Sequence, residues 1–212
     1  MAVRTVICEK PLAMNLSDAK KIQSLVNRSG IRFVLNYQRR FSPLFRRVRS
    51  AIRAGKLGKI QQMTCYYSNG LYNNGGHTIN ALLYLLDDPI VSVNALQNAT
   101  NTTAPRGDVN IDALLTTKRG TRVVLQSLDQ ESYGIHDFHV YGTKGSVVIT
   151  DYGAELIETA AHPSRFAGVR QLDAKAAKHF RAPLSATKDV LAGALSSAPP
   201  ASPVESGVAV LA

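Results

Sequence analysis

Apolar positions fall first into a short unbroken run. Arg4-Thr5-Val6-Ile7-Cys8 is β-branched and stops at Glu9-Lys10-Pro11, as a buried strand ends in a turn. Helical spacing follows. Ala19, Ile22, Leu25 and Val26 form an apolar face, with Asn15 or Ser17 as cap and Gly30 as the stop. Ile31–Leu35 is again strand-like, so the segment predicts a strand–helix–strand unit with a right-handed parallel crossover. A second helix is punctuated by Ser42 as cap, Pro43 at the first helical position and Gly55 at the end. Its inward stripe is Leu44, Phe45, Val48 and Ile52.

From Lys59 the period changes. "KIQQMTCYYS" reads as a strand and "GGHTINALLYLLDDP" as a short helix stopped by Pro89. Strands are then expected around 91–99, 109–117, 122–128, 135–141 and 146–151, with Gly120, Gly134, Gly142 and Gly145 at turns. Short turns between successive strands imply a largely antiparallel sheet. A helix is expected near 186–195, then a Pro/Ser-rich linker, "SSAPPASPVES", and an apolar run "GVAVLA" that begins a helix.

Charge alters this picture locally. The formal net charge is +10, and 12 of the 25 basic residues lie between Ala19 and Leu86, where there is no Asp or Glu. Such a run attracts anions or is the solvated outside of helices. Arg46, Arg49 and Arg53 share a face of the second helix away from its apolar stripe, so the solvated reading is preferred. Without a recognition motif, and with Tyr66, Tyr67 and Tyr72 read as strand residues, nucleic acid is set aside as a partner. Cys8 and Cys65 are too few for a disulfide framework and read as structural thiols. No apolar stretch is long enough to span a bilayer and the N-terminus lacks a signal-peptide pattern, so a cytoplasmic location with no membrane partner is expected.

Two places carry chemistry. Lys10 follows a strand's carboxyl end, where open α/β sheets place ligands, and a lysine there polarises a hydroxyl. A surface lysine before a proline is the plainer reading. Asn73, His77, Asn80 and Tyr84 are spaced by four, three and four residues and share a face if the helix reaches back to Asn73. Gly75 and Gly76 are expected to let backbone approach a ligand, and His77 in a helix's first turn is kept neutral by the dipole. Residue pattern alone leaves His77 open between proton acceptor and hydrogen-bonded structural residue.

"ICEKPLAMNLSDAKKI", "NYQRRFSPLFRRVRSAIRAGKLGKI", "NNGGHTINALLYLL" and "FHVYGTKGSVVI" occur in this order. Together they resemble the Gfo/Idh/MocA oxidoreductases, the relatives of glucose–fructose oxidoreductase and inositol dehydrogenase. The resemblance implies an α/β to α+β chain: residues 1–38 as the remnant of a dinucleotide-binding Rossmann domain, then 39–212 as an open, mainly antiparallel sheet with helices on one face. It implies a sugar, sugar nucleotide or cyclitol as ligand. Lys10 and His77 become the catalytic pair, Asn73, Asn80 and Tyr84 the substrate contacts, and Glu9 and Pro11 the residues next to the cofactor. It also implies NAD or NADP, no metal, and a homo-oligomer formed through the open sheet face. The sequence departs from the family pattern in having no G-x-G-x-x-G turn opening a helix, and in carrying Asn73 and Asn80 where relatives often carry Asp. A truncated chain that does not bind dinucleotide alone is therefore expected, with a non-catalytic sugar-binding or oligomerising module as the alternative.

Overall fold

The computed structural model describes residues 3–99, 101–183, 187–195 and 202–211. β1 (Thr5–Cys8) and β2 (Arg32–Leu35) pair in parallel, and α1 (Leu16–Ser29) connects them. Asn15 is the cap: its Oδ1 accepts the Asp18 backbone N–H at 2.9 Å. Gly30 ends the helix at φ 65°, a left-handed conformation that glycine adopts without steric penalty. Ala19 is fully buried, but Leu25 is 60% exposed. At 100° per residue Leu25 sits on the margin of the stripe that Ala19, Ile22 and Val26 define, beyond the reach of the covering elements.

The last two helices return to this unit. α4 (Thr187–Leu195) lies against β1 and β2, and α5 (Val204–Leu211) against α1, β2 and the helix that carries His77. Val204 closes a cluster with Leu12, Phe33, Leu35 and Tyr37. Residues 196–201 of the expected linker lie outside the described residues.

α2 (Pro43–Arg53) buries Leu44, Phe45 and Val48 as its spacing predicts. Ser42 holds the cap position, yet its hydroxyl makes no cap bond and is buried without a partner. The missing N–H of Pro43 removes one of the amides that otherwise needs capping. Phe45 meets Phe138 edge to face at 5.4 Å, a geometry that adds about 0.5–1.5 kcal/mol to simple burial.

The main sheet contains nine strands among the described residues. They are β3 (Ile60–Ser68), β4 (Ile90–Gln97), β5 (Ile111–Thr117), β6 (Arg122–Leu128), β7 (His136–Gly142), β8 (Gly145–Thr150), β9 (Glu155–Pro163), β10 (Arg170–Leu172) and β11 (Lys178–Arg181). Spatial order is β10-β9-β8-β7-β3-β6-β5-β4, with β11 also on β9. Every pairing is antiparallel except β3 with β6. β9 to β11 are absent from the sequence reading: β10 and β11 are short and almost wholly exposed, and β9 fully buries only Leu156, which leaves no inward alternation to read. α2 and α3 (Gly76–Leu86) cover one face of the sheet, over Met63, Cys65, Tyr67, Leu125, Phe138 and Ile149. The mixed α/β fold with an open, mainly antiparallel sheet is as the sequence predicts.

Before α3 the helical backbone runs back through Gly70–Gly75 as a wide i→i+5 turn. Tyr72 therefore sits in a helical turn and not in a strand, whereas Tyr66 and Tyr67 lie in β3. Pro89 is not what stops α3: Asp87, in the left-handed region at φ 51°, returns its N–H to the Leu83 carbonyl first.

Candidate functional site

Four chain segments meet at one end of the sheets. The carboxyl end of β1 supplies Lys10, and the carboxyl end of β2 supplies Tyr37 and Arg39. The wide turn after β3 supplies Asn73, the first turn of α3 supplies His77, and the start of β7 supplies His136. Lys10 Nζ donates to the Asn73 carbonyl at 2.9 Å and to Asn73 Oδ1 at 3.0 Å. His77, one turn further on, meets the Tyr37 ring edge-on at 5.6 Å. The lysine and the turn that leads into the histidine thus converge from positions 63 residues apart.

The turn is held from the far side. Asp108 Oδ1 accepts the N–H groups of Tyr72 at 3.0 Å and Val109 at 2.8 Å, and Oδ2 accepts that of Asn73 at 3.0 Å. Asn110 Oδ1 accepts the Gly70 N–H at 3.0 Å. Gly70 stands at φ 86°, and a methyl group there runs into the Asp108 carboxylate. Gly75 packs on Tyr67 and Leu71. The close approach expected of Gly75 is therefore to the protein's own core and not to a ligand.

Electrostatics at this cluster run in one direction. Burial, then Arg39, then Lys10 push His77 down to about 3, so its imidazole is neutral near pH 7. The same burial, with Arg39 and His77, lowers His136. Burial, with Arg39 adding to it, lowers Lys10 against the opposing pull of Glu9 and Asp108. Thr78 Oγ1 donates to the Asn74 carbonyl at 3.1 Å and lies 3.0 Å from His136 Nε2. With the Thr78 proton on Asn74, His136 Nε2–H is the donor, which leaves buried Nδ1 as an acceptor with no partner.

The remaining expected residues are engaged elsewhere. Asn80 is buried; its Oδ1 accepts from Arg40 Nε at 2.7 Å and its Nδ2 donates to the Ser206 carbonyl at 3.1 Å. Tyr84 lies under the guanidinium groups of Arg49 at 4.4 Å and Arg40 at 5.1 Å. Both residues tie α3 to its neighbours. Glu9 Oε1 accepts from Asn36 Nδ2 at 2.7 Å, which links the ends of β1 and β2, and Pro11 follows a cis peptide bond. Cys65 is buried and Cys8 half-buried, both as free thiols. Much of the basic run is paired: Arg47 with Glu158 at 2.6 Å, and Arg49 and Arg53 with Asp87 at 3.1 and 2.8 Å. Exposed pairs of this kind contribute about 0–1 kcal/mol each.

Arg39, Tyr37, His136 and Asp108 are not in the sequence reading. Arg39 is concealed by the charge run around it, and its one signal is its place just past a strand's carboxyl end. A separate apolar cavity of about 470 Å³ lies between α3, α5 and β4–β5, with no ionisable group in its lining. It holds nothing that performs acid–base chemistry.

A helix-covered open sheet, with a strand-end lysine held on the turn that leads into a neutral histidine, defines an α/β domain. Residues 68–148 match the family profile described as the GFO/IDH/MocA C-terminal domain. Over that segment the chain is similar to the C-terminal domain of the Gfo/Idh/MocA oxidoreductases. Inositol 2-dehydrogenase of Rhizobium meliloti (strain 1021) is 24% identical over 177 residues, covering 75% of this chain and 54% of the relative. The chain spans about half the length of the curated relatives it matches. Among solved structures, an oxidoreductase from Sinorhizobium meliloti superposes with a TM-score of 0.77 at 19% identity, over 98% of this chain and 67% of that one. The WlbA dehydrogenase from Bordetella pertussis, in complex with NADH and UDP-GlcNAcA, gives 0.72 at 18% identity, over 99% and 67%. No helix among the described residues is long and apolar enough to cross a membrane.

Proposed function

We propose that this chain binds a polyhydroxylated ring, a sugar, sugar nucleotide or cyclitol, between Lys10 and His77, as the substrate part of an NAD(P)-linked oxidoreductase. One observation carries the reading: Lys10 Nζ reaches the Asn73 backbone and side chain, on the turn that presents His77. Names of relatives support the ligand class, since several are inositol 2-dehydrogenases. In this reading Asn73 positions Lys10, and Lys10 directs an N–H at the ligand hydroxyl and stabilises the alkoxide as it forms. His77, neutral at pH 7, takes the hydroxyl proton.

The described residues do not fit a dinucleotide's phosphates. α1 opens on Asn15, whose side chain is already used as a cap, and carries Asp18 in its first turn, which repels an anion. No G-x-G-x-x-G turn opens a helix in this sequence, and the Gly75-Gly76 pair that opens α3 lacks that spacing. The reading therefore extends to the proton half of alcohol oxidation and to no hydride step. That mismatch favours a second reading, a non-catalytic sugar-binding or oligomerising module. Both readings place the protein in the cytoplasm and pair it with a second copy through the open sheet face.

Calorimetric titration of the full chain with myo-inositol and with glucose tests the site. Binding that weakens about tenfold or more in Lys10→Met and in His77→Gln is expected. Affinity indifferent to both substitutions overturns it. Titration with NADH and NADPH separates the two readings: a 1:1 complex favours the enzyme, and none is expected from the chain alone.

A further inference from the structure

Two cations, Lys10 and Arg39, stand at this cluster with two carboxylates, Glu9 and Asp108, and both carboxylates act on Lys10. The Arg39 side chain lies among Lys10, His77, His136 and Tyr152, close enough to bias the protonation of the first three. Its Nε is buried with no hydrogen-bond partner, and among the described residues Arg39 makes no ion pair. The neighbouring carboxylates are committed elsewhere. Asp108 uses both oxygens on the amides of Tyr72, Asn73 and Val109, and Glu9 Oε1 takes the amide of Asn36. Asn73 adds a neutral amide where a carboxylate would have balanced Lys10. Arg39 is half-buried, and a guanidinium whose buried Nε has no acceptor is unfavourable; an anion that enters with its own charge supplies that acceptor.

We propose that the ring taken between Lys10 and His77 carries an oxyanion, a carboxylate or a phosphate, and that the Arg39 guanidinium binds it. This rests on the proposed function and narrows its ligand class from polyols in general to acidic ones. A guanidinium presents parallel N–H groups that match two oxygens of a carboxylate or phosphate, and a neutral hydroxyl leaves that fork half used. Tyr37 packs edge-on against His77 and Tyr152 lies near Arg39; neither tyrosine is a carboxylate partner for the guanidinium.

The test titrates the full chain with glucose, glucuronate and glucose 6-phosphate. At least one anionic probe is expected to bind about tenfold or more tightly than glucose, with an affinity that falls as salt rises. Whichever anion leads identifies the group. Arg39→Gln should bring the anionic probes down to the glucose value, and Arg39→Lys should restore part of the difference. Equal binding of all three, absence of binding included, overturns the proposal, as does a preference that survives Arg39→Gln. Equal binding that Lys10→Met still abolishes removes the acidic class but leaves the proposed function standing. Binding that neither Lys10→Met nor His77→Gln alters removes the proposed function itself.

Discussion

His77 shows how a single side chain acquires a property from its surroundings. Three residues ahead of Asn80 and four behind Asn73, it is marked by pattern alone as a candidate, open between proton acceptor and hydrogen-bonded structural residue. Its placement beside Tyr37, Arg39 and Lys10 keeps it neutral well below the ordinary histidine range. The sign of the pH dependence follows. Between about 6.5 and about 3 the unfolded chain binds a proton at this position that the folded chain refuses, so stability falls as pH drops through that window. His136, lowered for the same reasons, adds in the same direction. Urea midpoints should be lower at pH 5 than at pH 7, and the difference should shrink in His77→Gln; an identical difference in the variant would sink this account. Lys10 and His77 were legible as candidates because each follows a punctuated element end, at Glu9-Lys10-Pro11 and Gly75-Gly76-His77. Arg39 was not, because a half-buried cation and a solvated one are written with the same letter.

At the scale of elements, the wide turn Gly70–Gly75 is what aims the site. Its amides are satisfied by Asp108 and Asn110, nearly forty residues downstream, and no local pattern announces that pairing. Helix α3 was legible from its apolar spacing, whereas the backward extension depends on a distant carboxylate. Asp108→Ala leaves three backbone N–H groups without their acceptor. An unsatisfied buried donor costs about 1–3 kcal/mol, and a loss of that order in a urea titration is expected. A second effect should accompany it: ring-ligand affinity weakens because Asn73 no longer fixes Lys10. An unchanged midpoint would mean that the turn is held by other means. Gly70→Ala should be costlier than an ordinary surface substitution, by about 1–3 kcal/mol, since it adds left-handed strain to the collision with Asp108.

Over the whole molecule, the sheet is covered on one face and open on the other. Leu96 and Leu114 are 74% and 45% exposed on β4 and β5, and the Tyr66 ring meets the His139 ring at 5.4 Å on adjoining strands. Proposed self-pairing through this face is read by light scattering after size exclusion. A mass of at least two chains is expected, decreasing in Leu114→Asp, and a single-chain mass at micromolar concentration would remove the idea. Local hairpins such as β5–β6 and β7–β8 were legible because their turns lie within a few residues. The insertion of β3 between β6 and β7 was not, because strand neighbours far apart in sequence leave no periodic trace. That insertion has a consequence for synthesis. As the polypeptide emerges from the ribosome, Met63, Cys65 and Tyr67 must wait for their first strand neighbours, Val123, Leu125 and Ser127, until about sixty further amino acids have been translated, and longer for β7. An arrest shortly after Leu128 should release a chain that aggregates, and one placed beyond Gly142 a chain whose central strand is sheltered on both edges.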